Sequence, residues 1–482
     1  MQTSQVQELG SPEQGDVIRR VYALQQANRW RMARTTAEQR IERLRRIKRA
    51  LWDRRPELHR ALADDFGKNP GEADLTEVLP VMAEINDTIK HLARWMKPVP
   101  VGTPRLLLGT RSEIRYEAKG LVLILSPWNY PINLLFNPLV AALAAGNCAM
   151  IKPSSKVPHT AHFISRFFAD LFPEEEVAVF EGSSAVASHL LEYRFDHIFF
   201  TGSPRIGKSV MAAAARHLTP VTLELGGKSP VIVDRSVDIQ KAAERVMWGK
   251  FLNAGQTCVA PDYLLIHEQQ LEPFLTRARA VIEKRYGASS DQRRDSASFC
   301  RIVSHDAHRG LQRVLDAAVG QGARIAFGGG SDPSQRYLEP TLLTHVTWDS
   351  PIMQEEIFGP ILPILTFRDL HQAVAEIQAR EKPLALYMFS DDELNIEYVL
   401  GNTTAGGSCV NSMVIHLANP NLPFGGVGTS GMGSYHGVFG FRNLSHERAV
   451  LRQGKLDVLR VFYPPYTRRV KLVIETAARF LT

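Results

Sequence analysis

The sequence predicts an α/β protein built on parallel β-sheets. Between Leu121 and Phe200, short apolar runs typical of buried strands alternate with longer segments whose apolar residues suit helices. Strands that alternate with helices form parallel sheets with right-handed crossovers. A second stretch with the same alternation runs from about Leu225 to Gly406. We therefore expect two α/β domains, with ligands bound beyond the carboxyl ends of the strands.

The first of these domains contains four predicted strands and the helices between them. The strands are Leu121–Leu125, Cys148–Lys152, Val177–Phe180 and His197–Phe200, and the longer helices are Leu134–Ala145 and His159–Leu171. In the second domain the pattern predicts a helix at Ile239–Phe251 and a strand at Tyr263–Ile266. No internal repeat is present, which argues against solenoids and propellers.

An amphipathic helix is predicted before the first strand. Its apolar residues recur at helical spacing, at Ile41, Leu44, Ile47 and Leu51. Thr35 and Glu38 have the spacing of a capping box. The net charge of +7 lies in the first sixty residues, which hold 14 basic and 7 acidic side chains. Such a segment could bind nucleic acid or another anion. The positive charge of this segment is better explained by arginines on the outer faces of a solvated helix, so we expect no nucleic-acid partner.

Composition argues against several classes of protein. The chain is 44% hydrophobic and 22% charged, which is typical of a globular protein rather than a disordered one. Its longest apolar runs fall far short of the ~18 residues that span a bilayer, so we expect no integral membrane segment. Met1–Gly15 is polar and lacks a signal-peptide pattern, which predicts a cytoplasmic enzyme. The cysteines are dispersed without metal-ligand spacing, so no metal site and no disulfide framework is expected.

Two further segments are predicted to serve assembly. Leu106–Lys119 alternates and carries charge, which suits a protruding two-stranded ribbon, and the chain from Val410 onward returns to mixed strand and loop. We interpret the two as one assembly element. In the tail, apolar residues at helical spacing form one face, at Val470, Val473, Ile474, Ala477, Ala478 and Leu481. This face could pack on the body of the protein or on a partner subunit, and we favour this interpretation. It could instead cover a substrate entrance or make peripheral contact with an anionic membrane.

A glycine-containing turn at Thr201–Gly207 is a candidate phosphate-binding loop. It follows a predicted strand and opens a helix, where glycines let the backbone approach a pyrophosphate. The motif is not GxGxxG, so by itself a plain strand-to-helix turn is the better interpretation. Lys152, at the end of its predicted strand, would equally be read as an ordinary surface lysine without further context.

Cys258 and Glu224 are the candidate catalytic side chains. Cys258 ends the stretch Asn-Ala-Gly-Gln-Thr-Cys, whose small and polar residues could leave its thiol accessible, whereas Cys148 lies on a predicted inner strand and is interpreted as core. On spacing alone, a buried and unreactive Cys258 is the more frequent outcome. Glu224 lies in an apolar run that ends in two glycines. A carboxylate there is either paired or poised as a base with a raised pKa.

Together these motifs resemble those of the aldehyde dehydrogenase superfamily, and the resemblance covers nearly the whole chain. The matching stretches are Ser126–Pro131, Ile151–Pro153, Phe200–Ser203, Leu223–Pro230, Gly255–Cys258, Gln354–Pro360 and Leu422–Gly428. Ser430–Gly437 and Tyr463–Tyr466 are similar to the class 3 branch, which includes fatty-aldehyde and aromatic-aldehyde enzymes. The resemblance implies NAD(P)-dependent oxidation of medium or long aliphatic, or aromatic, aldehydes to carboxylic acids.

The resemblance also implies a fold. It comprises a Rossmann-like parallel-sheet cofactor domain, an α/β catalytic domain and a small β oligomerisation element. We place the cofactor domain at residues 1–105 and 120–224, the catalytic domain at 225–406, and the oligomerisation element with the tail at 106–119 and 407–482. A homodimer is the expected assembly.

The family's chemistry assigns roles to three residues. Cys258 would attack the aldehyde as a thiolate, while the Asn129 amide and the Cys258 backbone N–H hold the oxyanion. Glu224 would then activate water to hydrolyse the thioester. Family members bind NAD or NADP, and the residues implied to contact the cofactor are Ser126, Trp128, Lys152, Ser155, Gly182, Gly202, Ser203, Gly207, Leu225, Glu356 and Phe358.

Ser155 departs from the pattern of many family members. They carry glutamate at this position, where the carboxylate holds the adenosine ribose hydroxyls and would repel a 2′-phosphate. Here serine is followed by Lys156, which could accept that phosphate. We therefore expect the chain to use both NAD and NADP.

Two alternatives differ in chemistry. In a CoA-acylating relative a thiol replaces water, but such enzymes generally lack a base at the position of Glu224. A non-catalytic protein that keeps the fold would not need Asn129, Glu224 and Cys258 together.

Overall fold

The computed structural model describes residues 12–104 and 107–481. Most of Met1–Gly15, for which no signal peptide is predicted, lies outside the described residues, as do Leu106 at the start of the predicted ribbon and the side chain of Leu481. The described chain forms α-helices and β-strands that alternate over most of its length.

The helices are α1 Pro12–Ala33, α2 Ala37–Asp53, α3 Arg55–Phe66, α4 Pro70–Ala73, α5 Leu79–Trp95, α6 Asn133–Ala145, α7 Pro158–Leu171, α8 Ser184–Leu190, α9 Pro204–Ala215, α10 Ile239–Phe251, α11 Leu271–Tyr286, α12 Ser290–Arg294, α13 His305–Gly320, α14 Leu370–Gln378, α15 Glu393–Asn402, α16 Gly437–Asn443 and α17 Arg468–Leu481. A π-helical turn, Asp74–Val78, joins α4 to α5, and a 3₁₀ turn, Leu252–Gly255, follows α10.

The strands are β1 Val99–Val101, β2 Thr110–Ala118, β3 Leu121–Leu125, β4 Cys148–Lys152, β5 Val177–Val179, β6 His197–Gly202, β7 Val221–Leu225, β8 Pro230–Val233, β9 Tyr263–His267, β10 Arg324–Phe327, β11 Ser331–Asp332, β12 Tyr337–Leu338, β13 Thr341–Thr344, β14 Ile361–Phe367, β15 Ala385–Phe389, β16 Gly407–Val410, β17 Gly431–Met432 and β18 Ser445–Gln453. The α/β class predicted from the sequence is confirmed.

A six-stranded sheet forms the first core. Its order is β17-β7-β6-β3-β4-β5, and all neighbours are parallel except β17, which runs antiparallel to β7. Leu125 at the end of β3 lies opposite both Lys152 and Phe200. The carboxyl ends of these central strands therefore meet at one edge. Both faces of the sheet are covered, because β3 and β4 are buried along their whole length, including the expected core residue Cys148.

A seven-stranded sheet forms the second core, in the order β10-β13-β14-β9-β8-β15-β16. Its strands are parallel except β10, which pairs antiparallel with β13. Strand β16 begins directly after Gly406, where we placed the end of the catalytic domain, and β17 returns to the first sheet. The proposed domain boundaries remain predictions.

The predicted two-stranded ribbon at Leu106–Lys119 is wrong. Within the described residues this segment holds a single strand, β2, and its partner is β18, far away in sequence. The two pair antiparallel over nine residues, from Ser445 opposite Ala118 to Gln453 opposite Thr110, and β1 pairs on the other side of β2. An alternating pattern shows that a strand has one polar face, but it does not identify the partner.

The predicted capping box is displaced by one residue. The N-cap of α2 is Thr36, which accepts from the backbone N–H of Gln39, while the Gln39 side chain accepts from the Thr36 N–H. The hydroxyl of Thr35 is already engaged, since it donates to the carbonyl of Met32 and accepts from Arg40.

Arg40 is an exception to the expected solvated arginines. It is buried, and its guanidinium donates to the carbonyls of Ala144 and Ala33. The bond to Ala144 joins α2 to the carboxyl end of α6, and the bond to Ala33 joins it to the end of α1, so this arginine is part of the packing of the first domain.

The tail forms the predicted helix, α17. Leu472, Val473 and Ile474 on it are exposed. Among residues 12–104 and 107–481, no helix combines the length and the apolar character needed to cross a membrane. Which of the three surfaces covers the apolar face of α17 remains a prediction.

Candidate active site

The predicted site residues lie where the strands of the two cores end. Asn129 follows β3 in the loop before α6, and Glu224 lies near the end of β7, opposite Thr201 on β6. Cys258 enters from the second core, on the loop between α10 and β9. A single pocket is lined by all three predicted catalytic side chains.

The loop that carries Cys258 has an unusual backbone. Asn253 and Ala254 have φ values of 54° and 51°, and Gly255 has a φ of 75°. A Cβ on Gly255 would lie 2.3 Å from the carbonyl oxygen of Gly359, so only glycine fits there without a shift. This tight turn ends α10 and brings Cys258 into the walls of two cavities, which are described below.

Glu224 is buried and lacks a described hydrogen-bond partner. Its side chain is 1% exposed, and both carboxylate oxygens are unsatisfied among the described residues. Burial disfavours the charged form of a carboxyl group. It raises the pKa of Glu224 to about 7, although the nearby Cys258 thiol and Thr201 hydroxyl lower that pKa in part. A carboxyl group with this pKa can take up and release a proton near neutral pH.

The Cys258 thiol rests in its protonated form. Burial raises its pKa well above the usual value, and the neighbouring charge of Glu224 adds to this effect. The expected attack as a thiolate therefore requires removal of the thiol proton when substrate and cofactor are bound. The other cysteines are less suitable: Cys148 and Cys300 are buried, and Cys409 lies on β16 and lines neither cavity that Cys258 lines.

The side-chain amide of Asn129 is held in place next to the cysteine loop. Its Nδ2 donates to the carbonyl of Gln256 at 3.1 Å, which leaves the second N–H of the amide available. The next residue, Tyr130, shares a hydrogen bond of 2.6 Å with the hydroxyl of Thr257. The loops that carry Asn129 and Cys258 are thus bonded to each other.

On one side of Cys258 lies a cleft at the strand ends of the first core, with both apolar and polar side chains in its walls. Besides the three catalytic candidates, the predicted residues that line it are Trp128, Gly202, Ser203, Leu225, Glu356 and Phe358. The rings of Trp128 and Phe358 pack edge to face, 5.4 Å apart. Burial, with the nearby charge of Asp262, raises the pKa of Glu356 to about 8.

The cleft has the features of a dinucleotide site. The hydroxyl of Thr201, which lines the cleft, and that of Ser126, next to the lining residue Pro127, are buried and lack a partner among the described residues, so they can bind a polar ligand. A Cβ on Gly226 would lie 2.0 Å from the Glu356 carboxylate, so a larger residue there would displace that carboxylate. Gly202 ends β6, and Ser203 is the N-cap of α9, whose N-terminal N–H groups suit a phosphate. These residues fit NAD or NADP.

The remaining predicted cofactor residues lie outside the walls of this cleft. Lys152 ends β4 beside Ser126, and burial lowers its pKa to about 8. Ser155 is exposed in the loop between β4 and α7. Gly182 follows β5 with a φ of 129°. Gly207, inside α9, has a packing role, since a Cβ there would lie 2.8 Å from the Leu225 side chain.

On the other side of Cys258 lies an apolar cavity of about 170 Å³ that the sequence did not predict. Its walls come from five separate segments, represented by Leu75, Leu134, Trp248, Ile415 and Phe424. Each of these residues looks like an ordinary core or surface side chain in its own segment. Only the tertiary fold brings them together, so no local motif could have found them.

The chain was compared with known proteins. The model of the aldehyde dehydrogenase family matches residues 3–450. The chain belongs to the aldehyde dehydrogenase family. It is 45% identical to the 4,4'-diaponeurosporen-aldehyde dehydrogenase of Staphylococcus aureus, over 90% of this chain and 93% of that protein. It is 43% identical to human aldehyde dehydrogenase family 3 member B1, over 95% and 96% of the two chains.

A solved structure agrees with this assignment. The substrate-bound state of Staphylococcus aureus AldH superposes with a TM-score of 0.91 at 43% identity, and covers 95% of this chain and 99% of that one. The predicted aldehyde dehydrogenase fold and the similarity to class 3 enzymes are therefore confirmed. This aldehyde dehydrogenase oxidises aldehydes with NAD or NADP, as predicted from the sequence.

Proposed function

We propose that this aldehyde dehydrogenase converts aldehydes with apolar side chains into carboxylic acids by covalent catalysis at Cys258. One observation carries the proposal: Cys258 lines both an apolar cavity and a separate cleft, and the buried carboxyl group of Glu224 lines that cleft. An aldehyde held in the apolar cavity would present its carbonyl carbon to the thiol. A cofactor held in the cleft would lie on the opposite side of the same sulfur.

In the first step the thiol releases its proton to solvent water, and the sulfur forms a bond to the carbonyl carbon. The carbonyl oxygen gains the electron pair of the π bond and becomes an oxyanion. The free N–H of the Asn129 amide and the backbone N–H of Cys258 are the donors proposed to hold it. Because the Asn129 amide is already fixed on the Gln256 carbonyl, it needs little reorganisation when charge develops.

In the second step the thiohemiacetal loses a hydride and becomes a thioester on Cys258. NAD or NADP, when bound, supplies the acceptor of this hydride. Trp128 and Phe358, which line the cleft, would pack beside the nicotinamide ring, and Glu356 would bind its ribose hydroxyls. Lys152, at the end of β4, is proposed to bind the adenosine ribose, and the N-terminus of α9 the pyrophosphate.

In the third step Glu224 removes a proton from water while the water oxygen attacks the thioester carbon. The carbon–sulfur bond then breaks, the carboxylic acid leaves, and the sulfur regains a proton. A pKa of about 7 lets Glu224 act as this base at neutral pH. The CoA-acylating alternative would require no base here, so the placement of Glu224 in the cleft favours hydrolysis.

The apolar cavity predicts a preference for larger apolar aldehydes. Each buried methylene contributes about 0.8 kcal/mol, which is roughly fourfold in binding. We therefore expect kcat/KM to rise at least tenfold from propanal to hexanal or cinnamaldehyde, measured by the absorbance of the reduced cofactor. The acid should be the product with or without coenzyme A. A flat profile across the series would contradict the assignment of the cavity, and an acyl-CoA product would support the alternative.

The cofactor preference can be tested at Ser155. The carboxylate that many relatives carry is absent, and Lys156 is adjacent, with its ammonium 5.6 Å from the centroid of the Trp128 ring. We expect NADP to support turnover within about tenfold of NAD in kcat/KM, a difference of about 1.4 kcal/mol. Ser155→Glu should raise selectivity for NAD because its charge repels the 2′-phosphate, and Ser155→Gln is the uncharged control. Equal use of NADP by Ser155→Glu and the parent would refute this assignment.

A homodimer in the cytoplasm is also proposed. The three-stranded sheet β1-β2-β18 supports an oligomerisation role for the segments 106–119 and 407–482, because β18 and β2 build it together from both of them. The tail helix α17 presents the exposed side chains Leu472, Val473 and Ile474, which a partner subunit could cover.

A further inference from the structure

Three charged side chains lie beneath the two catalytic loops. Lys68 and Glu77 form an ion pair in which Nζ and Oε1 are 2.9 Å apart, and both side chains are completely buried. Glu72, one turn before Glu77, is half-buried, and burial raises its pKa. Neither the family resemblance nor the mechanism above gives these residues a role.

Glu77 binds the loop that carries Asn129. Its Oε2 accepts hydrogen bonds from the backbone N–H groups of Ile132 and Asn133, at 3.1 and 3.0 Å. Lys68 contacts the same loop, since its ammonium lies 4.4 Å from the centroid of the Tyr130 ring. This pair therefore holds the segment directly after Asn129.

Glu77 reaches this position from the π-helical turn Asp74–Val78. A π-helical turn contains one residue more than the same turn of an α-helix and is frequently found at functional sites. The same turn places Leu75 and Thr76 in the wall of the apolar cavity. One irregular turn thus serves both the cavity and the loop that carries Asn129.

Glu72 binds the loop that carries Cys258. Its Oε1 accepts from the backbone N–H of Asn253 at 2.7 Å. Asn253, held in the left-handed conformation, donates through Nδ2 to the carbonyls of Asn129 and Gln256, both at 3.0 Å. Asn253 therefore connects the two loops, and Glu72 holds Asn253.

Stability alone does not account for these charges. Burial of an ion pair costs desolvation energy, and well-packed apolar side chains in its place are often neutral or stabilising. A role in positioning the catalytic loops explains these charges better, because a displacement of about 1 Å in a catalytic group can lower the rate about 10²-fold.

We propose that Lys68, Glu72 and Glu77 are positioning residues that fix the Asn129 amide relative to the Cys258 thiol. The inference rests on the proposed roles of Asn129 and Cys258. The three residues touch neither substrate nor cofactor. They act by binding the backbone of the two loops that carry the oxyanion donor and the nucleophile.

The test compares variants at matched positions. Lys68→Met/Glu77→Leu removes both charges and the acceptor for the two N–H groups. It should lower kcat per active site at least tenfold and leave the KM for NAD unchanged. The number of active sites is measured by titration of the cofactor sites with NADH. Lys68→Met/Glu77→Gln also removes the charges, but its amide oxygen can still accept from Ile132 and Asn133. It should recover most of the lost kcat, which a merely structural role would not predict.

Further variants complete the experiment. Glu72→Ala removes the acceptor for the Asn253 N–H and should lower kcat, whereas Glu72→Gln keeps an acceptor and should retain kcat. This pair tests the positioning role even if Lys68→Met/Glu77→Leu does not fold. Arg293→Met/Glu339→Leu removes another buried ion pair, at 2.7 Å, that binds neither catalytic loop, and should leave kcat per site unchanged.

Two results would overturn the proposal. Parental kcat per site in Glu72→Ala and in folded Lys68→Met/Glu77→Leu would show that the charges do not position the loops. Equal losses in the Leu and Gln variants at position 77 would show that the acceptor does not matter. Failure of the proposed function is separable, because it would appear as activity retained in Cys258→Ser.

Discussion

Replacing Cys258 with serine should abolish aldehyde oxidation while leaving cofactor binding intact. Serine keeps the shape of the side chain, but its hydroxyl is a far weaker acid than a thiol, and its oxygen is a poorer nucleophile at neutral pH. The site offers no substitute, since Cys148 and Cys300 are buried away from both cavities. We expect kcat to fall more than about 10³-fold, which corresponds to about 4 kcal/mol in the activation barrier.

Three measurements check this expectation. Initial rates of reduced-cofactor formation give kcat, hydrolysis of an activated ester tests nucleophilic attack without hydride transfer, and titration with NADH gives the number of intact cofactor sites. Both activities should be lost, with the number of sites unchanged. Cys409→Ser is a matched control, because this partly exposed cysteine lies on the edge strand β16 and should be dispensable. A Cys258→Ser enzyme that keeps more than roughly a tenth of the parental kcat would reject Cys258 as the nucleophile.

The fold was predictable where a local pattern decides the structure. Strands β3 and β4 have the bounds expected from the sequence, because a strand buried on both faces is a continuous apolar run. Helix α10 likewise matches Ile239–Phe251, since its amphipathic pattern and the N-cap Asp238 are both local signals. Parallel pairing follows from the alternation of such elements, so the edge at which ligands bind could be inferred as well.

Pairing over long distances was not predictable. Strand β2 has the expected alternation, but its partner β18 lies more than 300 residues later, and nothing within Leu106–Lys119 indicates it. The apolar cavity has the same origin, because its walls come from separate segments. Lys68 and Glu77 are nine residues apart in a helical region, where they would be interpreted as surface charges. Their burial depends on the packing of the loops above them.

In the candidate site, too, local motifs predicted some features, whereas others depend on the tertiary fold. Asn129, Glu224 and Cys258 were found because each lies in a motif that resembles the family, and the structure places all three around one cleft. Their protonation states could not be found in this way. Burial raises the pKa of both Glu224 and Cys258, and the charge of Glu224 raises the pKa of Cys258 further, whereas the Cys258 thiol partly lowers that of Glu224. At rest, the pair therefore carries less negative charge than two independent groups would, and deprotonation of Glu224 should limit turnover at low pH.

Replacing Glu224 with glutamine should trap the acyl-enzyme. The amide keeps the size of the side chain but cannot accept a proton from water, so hydrolysis of the thioester should slow while the thioester can still form. General base catalysis contributes about 10²–10⁴-fold, and we expect kcat to fall within this range. Intact-protein mass spectrometry after mixing with aldehyde and NAD should show one acyl group, located on Cys258 by peptide mapping.

The pH profile provides an independent measurement of the same role. Glu224 must be unprotonated to act as the base, so kcat of the parent should fall as the pH is lowered through about 7, with a slope of one proton. This acid limb should disappear in Glu224→Gln, because the amide does not titrate. Glu356→Gln is the matched control: it alters the other buried carboxyl group of the cleft and should retain the limb assigned to Glu224. Undiminished turnover in Glu224→Gln, without an acyl adduct and with the parental pH profile, would show that another group activates the water.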